Sequence, residues 1–473
     1  MTSNDTAGLV GRLRTALGSE VCAPGTDAYE SSLARIFFPE AALRRPACVV
    51  APRSTDDVAT VLRVAAETGA RVTVRGGGLS SNCVADGAVV LDLSKHLNGA
   101  RPDGERVTVG GGATVATMLG ALAPAGRTVP IGVIGHAGLG MATRGGIGCL
   151  TRSLGLTVDH LVGAELVLPG GDVVHLTERS TGDEADLWWA VRGAAPLVGV
   201  VTSSTFRTHQ TGPVWVDRAV VGLDGLAAYF RVAPGLPRDT TMSAVLGCSS
   251  LSPDEPVLFL YTACANADDD AAVARARSAT SAVVAGAGSP PLYRSETSGR
   301  YPAGLPEFAL PGAGGAEPEP VRLPEPGDER RGSVFGKAVF TGPTLDAAVA
   351  DALAERMRSA PTRACQIDFQ HTGGALADVD DTATAFWGRT AQWSIPVNAI
   401  WDDEAEADAC RAWARDTVRA LAAHTVGFYS VDLRPDLPEY ETEARAAYGG
   451  NLTRLRTLQH RYDPTGVLAP PLP

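Results

Sequence analysis

The sequence predicts an α+β fold, on three observations. Helical and alternating periodicities succeed each other along the whole chain. Glycine turns sit at the ends of several alternating stretches. After about residue 210 strand candidates interleave with helix candidates, which suggests a sheet backed by helices on one face.

Leu9, Val10, Leu13 and Leu17 repeat at helical spacing. Ser54-Thr55-Asp56-Asp57 reads as a helix start, with Val58, Val61, Leu62 and Ala65 on one face and Gly69 as the stop. Arg71 to Val74 then forms a short strand that runs into Gly76-Gly77-Gly78. Further strands are expected at 88–91, 106–109 and 164–168, with a hairpin through Gly170-Gly171 into 172–176. A short helix near 186–191 leads to a strand at 199–206. In the second half, strands are expected near 257–261, 333–340, 365–369 and 394–401, and helices at 269–284, 345–358 and 404–423. Between Pro302 and Pro326 the chain carries seven prolines, so no regular element fits; the stretch is either a flexible excursion or a cover over a pocket.

The chain has 473 residues, which at roughly 150 residues per domain gives two to four domains. Its 41 Lys and Arg against 53 Asp and Glu leave a net charge of −12, the wrong sign for a nucleic-acid binder. No stretch approaches the roughly 20 apolar residues of a membrane span, and Met1 to Gly25 has no apolar core of signal-peptide type, so a cytoplasmic protein is expected. Eight Cys are scattered without a CxxC pair, so no zinc or dithiol signature is present. No metal is expected.

Four constellations carry possible chemistry. The first is Arg75-Gly76-Gly77-Gly78-Leu79-Ser80, whose successive N–H groups suit a pyrophosphate; a plain glycine turn explains it as well. It is not GxGxxG, and no helix follows at once. The second runs Gly135-His136-Ala137-Gly138-Leu139-Gly140, then Arg144-Gly145-Gly146-Ile147-Gly148. So many glycines are explained either by close backbone–ligand contact or by loop-on-loop packing. The third is Asp186 to Gly193 followed by Gly199-Val200-Val201-Thr202, and the fourth is Tyr448-Gly449-Gly450-Asn451 with Arg461-Tyr462-Asp463-Pro464.

In this order the four resemble the vanillyl-alcohol-oxidase superfamily of flavoproteins with a PCMH-type FAD-binding domain, in its berberine-bridge-enzyme-like branch. The resemblance runs from Pro46-Ala47-Cys48-Val49-Val50 through Gly155 to Leu161 and on to Tyr462-Asp463-Pro464. It implies an FAD-binding domain in two subdomains at 1–210, an inserted substrate domain of antiparallel sheet backed by helices at 211–425, and a return to the FAD domain at 426–473. It implies that Arg75, Gly76, Gly77, Gly78, Leu79, Ser80, Gly138, Gly140, Gly145, Gly146, Gly148, Val200, Val201 and Asn451 hold FAD. The turns at 76–78 and 145–148 place its diphosphate and ring. Members usually pass hydride from a small molecule to the flavin, and bacterial members often tailor secondary metabolites.

The family tethers FAD through a His after the first glycine run and through a Cys before the second. Leu79 and the stretch Arg127 to Pro130 hold neither, so FAD is expected to bind without a covalent link. Arg144 replaces a third Gly, Ala194-Ala195-Pro196-Leu197-Val198 replaces a glycine run followed by Asn-Phe, and Val431 stands where an Asn is usual. Tyr429, in Gly427-Phe428-Tyr429-Ser430-Val431, matches the Tyr that faces the flavin from the substrate side, a proton acceptor or hydroxyl anchor; a packed strand Tyr is the plain alternative. Alternation puts Gln366, Asp368 and Gln370 on one strand face and His371 on the other; an exposed polar face explains the trio almost as well as a pocket, and His371 is either an acid–base group or a structural His. With Trp393 and Asn398 these are the candidate substrate residues. The expected function is a flavin-dependent oxidoreductase acting on a natural-product intermediate such as a polyketide. One alternative is a non-redox cyclase, for cyclisation or [4+2] cycloaddition, that keeps FAD as a structural wall; another is a flavin-free relic that only binds a partner.

Overall fold

The computed structural model describes residues 3–132, 134–301, 304–306, 308–310, 332–468 and 472–473. Most of the proline-rich stretch, and with it the expectation of an excursion or cover there, lies outside the described residues.

The amphipathic helix Thr55–Thr68 begins where Ser54 accepts the Asp57 N–H, and Gly69 ends it at φ 66°. Its face of Val58, Val61, Leu62 and Ala65 packs on a four-stranded sheet ordered Val21–Cys22, Cys48–Val50, Val89–Asp92, Val72–Arg75. The last three strands are parallel, and Val72–Arg75 delivers the first glycine turn from its C-terminal end. An antiparallel sheet follows, ordered Ala100–Asp103, Arg106–Gly110, Val200–Arg207, Leu161–Val167, Val173–Thr177. The second glycine turn fills the connection between the helix Val115–Leu122 and this sheet's strand Leu161–Val167.

An eight-stranded antiparallel sheet makes up the middle of the chain. Its order is Tyr293–Arg300, Pro213–Gly222, Ser252–Cys264, Thr240–Ser249, Gln366–His371, Trp393–Trp401, Ser333–Thr341, Thr425–Phe428. The helices Gly225–Val232, Asp270–Gly286, Ala347–Arg358 and Ala407–Ala420 pack against it. The strand Pro213–Gly222 has no clean alternation because charge sits in its buried middle: Asp217 is fully buried and pairs with Arg294 on the edge strand at 2.6 Å.

The C-terminal helix Leu452–Tyr462 returns to the first half. Arg461 Nη1 donates to Asp183 Oδ1 at 2.8 Å, and Arg454 lies over the Trp189 ring. Asp463 then accepts the Val467 and Leu468 N–H groups at 2.7 and 2.9 Å, so Val467 can take the Val72 N–H at 2.7 Å. Among the described residues no helix is long and apolar enough to cross a membrane, and no group of His, Cys, Asp or Glu is arranged to hold a metal.

Candidate functional site

The strand Gln366–His371 lies between Thr240–Ser249 and Trp393–Trp401. Its pleat buries Ile367, Phe369 and His371 and leaves Gln366, Asp368 and Gln370 half-buried on the side away from the helices. Asn398 pairs with Gln366 in the ladder and donates through Nδ2 to Asp368 Oδ2 at 3.2 Å. Asp368 Oδ1 is buried with no hydrogen-bond partner among the described residues. Burial, with no cation to offset it, pushes the Asp368 carboxyl up to about 7. A Cβ on Gly336, beside Asn398 on the next strand, would stand 3.2 Å from Asn398 Oδ1. Four amide or acid side chains thus converge on one sheet face, and one of them titrates near neutral pH.

His371 and Trp393 sit on the opposite face. Their rings stack at 4.7 Å, and Trp393 is packed on Tyr229 and Phe230 with no exposure. His371 Nδ1 accepts the Met242 N–H at 3.2 Å, while Nε2 lies 3.0 Å from Arg152 Nη1 and 2.7 Å from Gln392 Nε2. Burial first and Arg152 second drive the His371 pKa well below its ordinary value. The expectation that these two residues line the substrate side is corrected: the pleat that puts Asp368 on the face away from the helices turns them into the helix-covered core.

The two glycine turns meet each other. A Cβ on Gly77 would collide with Gly138 N and stand 2.5 Å from His136 O. Gly138 is bridged to Thr114, and Leu139 donates to Ala113 O at 3.1 Å, so this contact is fixed from behind. Of the two explanations for these glycines, loop-on-loop packing is the one the geometry supplies. Gly77→Ala is therefore expected to destabilise the fold by about 1–3 kcal/mol in urea unfolding, with no ligand present, because backbone rather than a flexible side chain must move.

The other residues assigned to FAD have protein partners too. Arg75 is 3% exposed and donates to Ser32 O, Ser32 Oγ and Asp92 Oδ2 at 2.8, 3.0 and 3.3 Å. Gly76 faces Gly111 O, and Gly78, at φ 77°, accepts the Phe37 N–H at 3.0 Å. Leu79 packs against the main core, and Ser80 accepts the Asn82 N–H at 3.2 Å. Gly140 accepts from Thr143 Oγ1 and has open space around it, while Gly148 donates to Thr151 Oγ1 at 2.9 Å. Val200 and Val201 are strand residues paired with Val167 and Leu166. Asn451 Nδ2 donates to Asp381 O and Thr384 O at 2.7 and 3.1 Å, so it holds the 381–384 loop.

Tyr429 closes onto the second turn. Its hydroxyl accepts the Gly146 N–H at 3.0 Å, and burial pushes it up to about 12. That hydroxyl is a poor base near neutral pH. Phe386 presses on Gly145, its Cε2 2.7 Å from where a Cβ would stand. Phe340, Phe386 and Tyr429 form one buried aromatic cluster with Ile147. Arg144 Nη1 donates to Ser430 O at 3.1 Å, a second tie across the same gap. The resemblance puts the flavin ring at the 145–148 turn, with Tyr429 facing it from the substrate side. A stacked ring needs about 3.5 Å on each face, roughly 7 Å between walls. The described residues therefore do not fit an isoalloxazine at that place. Phe386 and Phe340 escaped sequence reasoning because an isolated Phe carries no signal beyond burial. The buried pair Arg389–Asp159, which anchors the Phe386 segment, was equally silent.

Residues 46–177 match the family described as FAD binding domain. The chain is 38% identical over 175 residues to (R)-6-hydroxynicotine oxidase of Paenarthrobacter nicotinovorans, an alignment covering 36% of this chain and 37% of that protein. It is 26% identical over 448 residues to the FAD-linked oxidoreductase YgaK of Bacillus subtilis (strain 168), covering 90% of each. In structure it resembles wild-type BBE-like 1 of Physcomitrella patens, with a TM-score of 0.80, 22% identity and 97% of both chains covered. The match to an FAD binding domain thus lies in the first half of a chain of mixed helix and antiparallel sheet. The chain has the fold of berberine-bridge-enzyme-like proteins, and the relatives it resembles are FAD-linked oxidoreductases.

Proposed function

We propose that the protein is an enzyme that tailors a small natural-product intermediate by proton transfer at Asp368. The observation that carries this is the recessed Asp368 carboxyl, raised to about 7 and with one oxygen unpartnered, on a face lined by Gln366, Gln370 and Asn398. A carboxyl poised near neutral pH is half ionised there, so it takes a proton from an acidic O–H or C–H and returns it. The amides have donors and acceptors to fix a polyoxygenated molecule in one conformer, and holding a reactive conformer is itself a source of rate. Proton removal and return without net oxidation is cyclisation or another isomerisation.

A second reading is a flavin-dependent oxidoreductase with non-covalent FAD. The match of residues 46–177 to an FAD binding domain favours it. Leu79 supports the non-covalent part, because its side chain has no nucleophilic atom.

The two separate on product mass. A strain lacking the gene supplies the accumulated precursor, and purified protein is incubated with it. An isomeric product is expected. A product two hydrogens lighter, with peroxide formed, selects the second reading; an unchanged precursor removes both.

A further inference from the structure

The glycine turns and Tyr429 correspond to a cofactor cradle in the resemblance, and this chain fills that cradle with itself. We infer that its own aromatic residues close the ring end permanently and that the protein works without a bound flavin. Three independent contacts cross the gap. The Tyr429 hydroxyl takes the Gly146 N–H at 3.0 Å. Phe386 rests on Gly145. Arg144 reaches over to Ser430 O at 3.1 Å. Arg144 stands where the family has a Gly, so the tie comes from one of the departures in the motif itself. Val431, another departure, packs against the same aromatic cluster.

The filling has the character of a core. Phe340, Phe386 and Tyr429 are 1%, 4% and 6% exposed. Parting the walls would expose all three rings to water and leave the Gly146 N–H without its acceptor, so the open form is disfavoured on both counts. At the first turn the backbone of Gly77 lies against that of Gly138. Retention of the glycines follows from the joint, because their close backbone contacts exclude larger residues.

This inference stands apart from the Asp368 reading, and the experiment keeps them apart. Purified full-length protein is denatured with acid, and released flavin is measured by absorbance and fluorescence. Native protein is then titrated with FAD while its Tm and the hydrogen exchange of the 145–148 peptide are followed. Flavin far below one per chain is expected, with no Tm shift on added FAD. The Gly146 amide should exchange slowly with and without FAD. Flavin at one per chain, covalent or released, overturns the inference. So does a saturable Tm rise with FAD, or rapid exchange across 145–148 in the flavin-free protein. Any of these results leaves Asp368 on its face and its role untouched.

Discussion

Asp368→Asn is expected to cost activity and to gain stability, each over a defined pH range. Asparagine has nearly the same shape and keeps a polar contact with Asn398, so binding on the Gln366–Gln370 face survives. It accepts no proton from substrate. Positioned acid–base groups contribute about 10²- to 10⁴-fold, and kcat should fall by that order while KM changes little. Wild-type activity should rise through a limb near pH 7 if the ionised carboxylate is the working form, and that limb should vanish in the variant. The stability change has the opposite sign. The folded pKa of Asp368 is raised from 3.8 to about 7, so the folded state binds the proton more tightly than the unfolded chain does. Below the unfolded value both states are protonated and no penalty exists. As pH rises through about 4 to 7 the unfolded chain ionises first, and stability falls. Above the folded value the penalty is constant, at most about 4 kcal/mol. The variant lacks this loss, so it should match wild type near pH 4 and exceed it at pH 8 in urea unfolding. Higher activity in the variant, or equal stability at both pH values, would contradict the assignment.

Arg389→Ala should produce the largest loss of stability. The guanidinium is 2% exposed and grips both oxygens of Asp159 at 2.7 Å, with a third bond to Thr384 Oγ1 at 2.8 Å. Its cation lies 5.1 Å from the centre of the Phe386 ring. Removing one member of a buried pair leaves the other charge without compensation, which costs about 3–5 kcal/mol. Asp159 keeps its contact with the Leu156 N–H. The double variant Arg389→Met with Asp159→Leu removes both charges and should recover much of the loss, as unfolding midpoints of the four proteins would show. Full stability in Arg389→Ala would mean the pair holds nothing in place.

Much of the fold is legible in the sequence where a single local rule acts. Ser54, Gly69 and the face between them define the helix Thr55–Thr68. The alternation of Gln366, Asp368 and Gln370 against Ile367 and Phe369 gives both faces of that strand. Pro213–Gly222 and Thr240–Ser249 escape because interior strands are buried on both sides, and Asp217 tolerates burial only through Arg294, 77 residues away. The site divides in the same way. Asp368 and Asn398 can be proposed from alternation. The carboxyl's proton affinity depends on what fails to surround it, which is a tertiary fact. The glycine runs show the converse case. Gly77, Gly138, Gly145 and Gly146 announce close approach, but the sequence does not say whether a coenzyme or Phe386 approaches.

The most direct test is an infrared titration of the carboxyl groups, wild type minus Asp368→Asn, in the native protein. A single protonated-carboxyl band that fades with a midpoint near 7 and is absent from the variant is the predicted result. A band that is already lost near pH 4, the ordinary range for an aspartate, would contradict the account at its base.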